Sequence, residues 1–507
     1  MEKLLPDNET TAGLPASRLT NPECESEQLH ASGAIQPYGA LLQFDAVTRR
    51  IGHASANLDT FIGVSAPALL GCTIDALDWL RGIDFSAPSV GAGKRQMIAN
   101  IANIGHGHGQ VDAVCIHGRA VVSVEIERAQ RAAVVAPDQH FMLPLMTAPS
   151  DEADLAAYRH ALATAVVVVS GFARVMIYQF MEDWSGEVVS QVNTVPMDDY
   201  LGMRFPATDI PLIARNLYLI NPCRMIPDIA AVAVPVLGCT PAPPDLTWSD
   251  LRSVSPAHLD YLASMGVRAS LSFPIQLFGK LWGLVVCHHL TPRLLRVEQR
   301  NRCIALANQF AFGMRAYHSA RRLQVTDGLN WRLNRLLSSL SDASTLTDGM
   351  LASHEALLSL MSAQGVAMVI NNEFATAGTG LSVPELTQLD DWFLGSVTET
   401  VFTTRQRSTE IPLPCDGPTA VCGVMAIKVQ SSRSGWLRFY WFRPGEASQV
   451  NWAGNPDKAV SDPRATTSSP RRSFQRWSET TVDCSRPWNA EEKFVALRFR
   501  LLALRNW

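Results

Sequence analysis

Between residues 205 and 261 the chain collects most of the side chains that could hold a charged ligand. They lie in Phe205-Pro-Ala-Thr-Asp-Ile-Pro211, Leu217-Tyr218, Asn221-Pro-Cys-Arg224, Arg252 and Ser255-Pro-Ala-His258-Leu-Asp-Tyr261. A guanidinium presents a planar fork that matches a carboxylate, so Arg224 and Arg252 suit a ligand with two acid groups. His258 and Tyr261 are three residues apart and share one face of a helix. In Arg268–Ile275, Ser270 and Ser272 fall on one side of a strand, and Ala269, Leu271, Phe273 and Ile275 on the other. The apolar side belongs to a core, so the serine side faces something polar. In Trp282–His289 the two histidines, His288 and His289, alternate sides, which speaks against a His–His chelate. Each residue alone suits an ordinary surface cleft; together they describe a ligand pocket.

The elements that must position these residues can be read from patterning. Residues 1–28 are polar and turn-prone. Strand-like runs follow from Ala34 (AIQPYGALLQFD, RRIGHAS, AVVSVEIERA), then a Pro-punctuated linker. A helical pattern, DEADLAAYRHALATAV, opens a second module with strand signals ARVMIYQF, GEVVSQV, RASLSFPIQL and KLWGLVVCHH. The irregular, Pro-rich stretch between Phe205 and Pro256 is longer than loops usually run without a function. From Arg293 to about Leu360 apolar residues such as Leu306, Phe310, Met314, Leu323, Leu329, Leu333 and Leu337 recur at helical spacing, predicting a nearly continuous helix. A third module carries strands GVAMVINNEF, CGVMAIKV and GWLRFYWF, and closes on a helix, AEEKFVALRFRLLALRNW.

The bulk composition narrows the function. Apolar residues make up 47% and charged residues 18% of the 507, with a net charge of −4, so nucleic acid is a disfavoured partner. The ten cysteines form no C-x-x-C pair, which predicts reduced thiols in cytosol rather than a disulfide framework or zinc site. No uncharged run promises a membrane span and the start lacks a signal-peptide core, so a cytoplasmic protein without metal is expected.

The string FPATDIP…LY…NPCRM…SPAHLDYLASMGVRASLS…LWGLVVCHH resembles the bilin-binding GAF domain of phytochromes. ECESEQLHASGAIQPYGALL resembles the PAS domain of the bacterial branch, and WAGNP (452–456) and PRRSF (470–474) resemble the tongue of the PHY domain. The resemblance implies an α+β fold of three tandem PAS/GAF-type antiparallel-sheet domains joined by a long helix. After an N-terminal segment 1–28 it places PAS at 29–130, GAF at 145–318, and PHY at 319–507 with a tongue at about 445–490.

It also implies roles. Cys24 forms a thioether to biliverdin, because the position used by plant-type members is Ala257 here. Asp209 and Ile210 belong to the DIP motif, with the Asp209 carbonyl near the pyrrole nitrogens and its side chain toward the tongue. His258 holds a central water and His288 bonds the D-ring carbonyl. Tyr178, Phe205 and Tyr261 wall that ring, and Tyr218 sits near Asp209. Arg224, Arg252, Ser270 and Ser272 serve the propionates, and Arg471 and Ser473 meet Asp209 in alternate states. Tyr38, where many relatives have histidine, and Pro274, which predicts a bulge or edge, depart from the pattern.

The implied function is a red/far-red photoreceptor that signals by Z/E isomerisation of the C/D methine bridge, tongue refolding and a dimeric helical spine. No phospho-acceptor box or nucleotide loop is present, so no enzymatic activity is expected. Output would pass through a histidine kinase to a response regulator. A PAS/GAF module for an unrelated small molecule is the competing class. A tetrapyrrole-modifying enzyme is disfavoured by the lack of a dinucleotide fingerprint.

Overall fold

The structure, a computed structural model, describes residues 27–81, 85, 91–101, 110–129, 142–370, 372–413, 421–431, 435–456, 473–481 and 484–506. Cys24 and Arg471 lie outside them. Of the described chain, 27–317 with 451–477 form one compact unit, and 318–450 with 478–506 form another.

The larger unit contains β1 (Ala34–Ile35), β2 (Gly39–Asp45), β3 (Ile51–Ser55), β4 (Arg95–Ile101), β5 (Val111–His117), β6 (Val121–Arg128), β7 (Arg174–Phe180), β8 (Gly186–Asn193), β9 (Arg204–Phe205), β10 (Arg224–Ile226), β11 (Val234–Gly238), β12 (Ala269–Leu277) and β13 (Lys280–His289). Its main helices are α1 (Glu152–Ser170), α2 (Leu212–Ile220), α3 (Pro256–Ser264) and the first part of α4 (Val297–Thr326). The first sheet runs β1-β11-β3-β2-β6-β5-β4. Its core packs Leu42, Phe44, Val124 and Ile126 against Leu58, Phe61 and Ile62.

β11 comes from the long irregular stretch rather than from its sequence neighbours. Ala34 pairs with Pro235 and Ile35 with Val234, while the other side of the same segment meets Leu251–Ser253: Gln36 N donates to Leu251 O at 2.7 Å and Ser253 N to Ala34 O at 3.0 Å. The excursion after β10 therefore embraces β1 on both sides. This clasp gives the stretch a structural role, which accounts for its length.

A buried charged layer backs this clasp. Glu125 and Glu127 alternate along β6 and so share a face. Ser249 Oγ donates to Glu125 at 2.5 Å, Arg300 donates to Glu127 and to Leu295 O, and Arg95 pairs with Asp250 at 2.6 Å. The Tyr38 hydroxyl joins by donating to Asp250 O at 3.2 Å.

The second sheet orders β10-β12-β13-β7-β8-β9 through its first six strands. α1 covers one face: Asp151 caps it by accepting from Asp154 N, and it ends on Gly171 in the left-handed region. Leu155, Tyr158, Leu162 and Val166, spaced three and four apart, pack on Val175, Leu271, Phe273 and Cys287 beside Phe310 of α4.

In the smaller unit, α5 (Leu329–Ser341), α6 (Leu346–Leu360), α7 (Val383–Ser396) and α8 (Ala490–Asn506) flank β14 (Gly365–Ile370), β15 (Glu373–Gly378), β16 (Val401–Thr404), β17 (Gly423–Ser431) and β18 (Gly435–Arg443), ordered β15-β14-β18-β17-β16. One sheet face packs Met425, Phe439 and Trp441 against Leu333, Leu337 and Phe499. The other packs Ala426, Tyr440 and Phe442 against Leu386, Leu389 and Phe393. There Asp390 accepts from Arg438 Nε at 2.8 Å and from the Tyr440 hydroxyl at 2.5 Å.

The expected helix from Arg293 to Leu360 is corrected to three. It starts only at Val297 and breaks where Gly328 turns left-handed (φ 65°). It breaks again at 342–345, where the Thr345 side chain caps α6 by accepting from Asp348 N. Apolar periodicity carries across both interruptions because the flanking helices bury the same kind of face. Pro274 lies where β10 no longer pairs with β12, and the register shifts at Ile275/Gln276. The unpaired edge accommodates its missing N–H, and the irregularity falls one residue further on. No helix among the described residues is long and apolar enough to cross a membrane.

Candidate functional site

The pocket face is set by register. Residues directly opposite in an antiparallel pair point to the same side. One row therefore aligns Arg224, Ser272, Val286 and Met176, and the next Ile226, Ser270, His288 and Arg174. The intervening Met225, Leu271, Cys287 and Val175 turn into the helical core. The serine face is mixed: Arg224, Ser270, Ser272, His288 and Arg174 share it with the apolar Ile226, Met176 and Val286.

At one end, Arg224 donates to Ser253 O at 2.9 Å, and Arg252 donates to Leu246 O and Thr247 O at 3.2 and 3.3 Å. Both guanidiniums are desolvated, and burial with Arg224 as neighbour pulls Arg252 down to about 9. A cation held in this way is stabilised by an incoming carboxylate. Ser270 and Ser272 are buried beside them, and the Tyr218 hydroxyl lies 2.7 Å from Ser272 Oγ.

Asp209 and Ile210 come from the 3-10 turn Ala207–Asp209 and its cap. The phenol that donates to Asp209 is Tyr261, at 2.9 Å. The hydroxyl of Tyr218, the residue expected near Asp209, lies 2.7 Å from Ser272 Oγ, where α2 sets it over β12. His258 and Tyr261 stack on one face of α3 with rings 6.0 Å apart and 14° from parallel. Phe474 meets Tyr261 edge-on at 5.0 Å, and with Ala453 joins the cluster of Tyr178, Phe205 and Leu284. Both come from β19 (Ser448–Ala453) and the run entering β20 (Arg476–Thr481), which extend the second sheet past β9. Ser473 is exposed at that run.

At the far end, Tyr178, buried on β7, lies edge-on to Phe180 at 5.3 Å and 6.0 Å from Phe205. His288 Nδ1 is 2.8 Å from Arg174 Nη2. Arg174 is the residue that sequence reasoning missed. Its signal was a cation opening an otherwise apolar strand in register with His288.

His258 tests whether these residues fit a large enclosed group. Its side chain is exposed, yet protein surrounds it closely enough that burial, followed by the charge of Arg224, lowers its pKa to about 4. A side chain that is exposed and yet strongly desolvated sits on the wall of a concave, protein-lined recess. Arg224 and Tyr218 show the same pairing of accessible surface with strong desolvation. A planar ligand with two acid groups at one end and a hydrogen-bonding edge at the other fits this wall.

Family models match as "PAS fold" over residues 24–84, "GAF domain" over 154–313 and "Phytochrome region" over 331–505. That order, with the pocket in the middle module, defines a phytochrome photosensory core. The "Bacteriophytochrome" of Xanthomonas campestris is 30% identical over 96% of this chain and 79% of its own length. That of Pseudomonas aeruginosa is 30% identical over 95% and 66%, and "Cyanobacterial phytochrome B" of Nostoc 30% over 94% and 65%. The chain thus spans about two thirds of the length of these curated relatives. The crystal structure of bacteriophytochrome RpBphP3 from R. palustris superposes with a TM-score of 0.80 at 30% identity, covering 96% of this chain and 99% of that one. The Stigmatella aurantiaca phytochrome photosensory core module also gives 0.80, covering 96% and 98%. The chain belongs to the bacteriophytochromes, photoreceptors that bind a bilin.

Two consequences of the site are measurable. A Cβ on Gly186 would fall 1.7 Å from Cζ of the Tyr178 ring. Gly186→Ala therefore lowers stability by roughly 1–3 kcal/mol. In urea unfolding that loss should persist in Tyr178→Phe, which keeps the ring, and largely vanish in Tyr178→Ala, which makes room.

The second concerns Glu125, which burial and then Asp250 raise to about 8. Between its ordinary 4.5 and 8 the folded chain holds a proton that the unfolded chain releases, so stability declines as pH rises through that window. His258 has the opposite sign: folded it refuses a proton, so it costs stability only below about 6.5. Glu127 and Glu410 are raised in the same direction, so from pH 6.5 to 8 the part of the slope that Glu125→Gln removes is what reports Glu125. The urea midpoint should fall across that range in the wild type and less steeply in Glu125→Gln; equal slopes in the two refute the assignment.

Proposed function

We propose that this chain binds biliverdin covalently through Cys24 and is the red/far-red sensory part of a signalling protein. The observation that carries the reading is the position of His258. Its ring is exposed yet strongly desolvated, close enough to Arg224 on one side and to His288 on the other to feel the first and act on the second.

Bound there, a bilin supplies the light absorption and a rotatable C/D methine bridge. The protein supplies the rest. Arg224, Arg252, Ser270 and Ser272 hold the propionates, His258 holds a central water, and Asp209 offers its carbonyl to the pyrrole nitrogens. Tyr178, Phe205, Tyr261 and Ile210 wall the rotating ring and His288 bonds its carbonyl. Cys24 is flanked by Glu23 and Glu25, which do not favour the thiolate, so attachment depends on ligand positioning rather than on an activated thiol.

When His288 and Asp209 change partners, each polar group left unpaired costs roughly 1–3 kcal/mol, enough to bias a two-state element. That element is the tongue, where Arg471 and Ser473 exchange places at Asp209. The chain works as PAS (29–130), GAF (145–318) and PHY (319–507) modules in a cytoplasmic homodimer. We infer that its signal passes on through a histidine kinase to a response regulator.

The test is to assemble the chain with biliverdin, record its spectrum under red and far-red light, then denature it. Colour should stay with the wild-type polypeptide and leave Cys24→Ser, while both photoconvert before denaturation. Absence of binding in both would favour an unrelated PAS/GAF ligand.

A further inference from the structure

Arg174 is buried at the start of β7, in register with His288 on β13. Its Nη1 donates to Asp198 O at 3.1 Å, its guanidinium lies 4.7 Å over the Tyr200 ring, and its Nη2 lies 2.8 Å from His288 Nδ1. Guanidinium nitrogens only donate. The ring nitrogen facing Arg174 must therefore accept, and an accepting Nδ1 carries no proton. A neutral imidazole has one N–H, which is left on Nε2.

The geometry points to Arg174 as a positioning residue that locks His288 as an Nε2–H donor, able to give a hydrogen bond from that nitrogen but not to accept one. The imidazolium alternative is disfavoured by burial, by the cation alongside and by His258. A ligand ring with an acceptor on one edge and an N–H on another is then read by orientation. His288 bonds the acceptor edge and repels the N–H edge, so rotation of that ring breaks a bond that its other edge cannot replace. The identity of the acceptor as the terminal-ring carbonyl rests on the proposed function; the tautomer does not.

The test is 15N NMR of the histidine-labelled full chain without bilin, with His288 assigned by its loss in His288→Gln. Wild type should show unprotonated Nδ1 and protonated Nε2 from pH 6 to 8. Arg174→Lys, another obligate donor, should keep that pattern, whereas Arg174→Met should lower the Nε2–H population to about half. A protonated Nδ1 in the wild type, or an unchanged pattern in Arg174→Met, overturns the assignment. Should Arg174→Met not fold, the wild-type and Arg174→Lys spectra still decide.

With biliverdin added, photoconversion yield should fall roughly twofold in Arg174→Met, following the halved Nε2–H population, and be retained in Arg174→Lys. Failure of biliverdin to bind while the NMR pattern holds would count against the proposed function alone.

Discussion

Asp390→Ala should lower the stability of the smaller unit by about 3–5 kcal/mol, as for other buried ion pairs that lose one partner. Asp390 is 3% exposed and accepts from Arg438 and Tyr440, and Arg438 is likewise 3% exposed. Lys428, directly opposite Arg438 on β17, is also buried and donates to Phe393 O and Val397 O. Removing the carboxylate leaves Arg438 beside a second buried cation and without its own counter-charge, while Glu399 still acts on Lys428. Asp390→Asn keeps the acceptor and loses only the charge, so it should cost less. Urea unfolding of the three proteins checks this; equal losses in Ala and Asn would show that charge is not what the position supplies.

The second large effect is on ligand affinity. In a Cys24→Ser background, where binding is reversible, Arg224→Met should weaken biliverdin roughly 10- to 150-fold, the range of one charge-assisted hydrogen bond of about 1.5–3 kcal/mol. Arg224 stands in register with Ser272 on the pocket face, and its protein partners are backbone carbonyls rather than a carboxylate. The same substitution should leave the folded chain nearly as stable, because it also relieves the repulsion that helps pull Arg252 down to about 9. Absorbance titration gives the affinity. An unchanged dissociation constant would place the acid groups elsewhere.

Much of the site is legible in the amino-acid sequence. The alternation of Ser270 and Ser272 against Leu271 and Phe273 makes one face of β12 polar, and the three-residue spacing of His258 and Tyr261 makes them neighbours. Both are local rules. Long-range partners are not legible in this way. Nothing in residues 234–238 announces that they complete a sheet begun at Ala34, because backbone pairing carries no mark in side chains so far apart. Arg174 escapes for a related reason, since its meaning depends on a histidine 114 positions away. The left-handed turn at Gly328 is hidden by an apolar rhythm that continues on both sides of it.

The clasp around β1 has a consequence for synthesis. Ala34 leaves the ribosome first, but its partner Pro235 follows some 200 residues later. At ~5–20 residues per second this segment waits roughly 10–40 s with open strand edges. Such edges invite the wrong neighbour, so the growing N-terminus depends on a timely escort, and slow elongation through the middle of the message should lower the yield of properly closed protein.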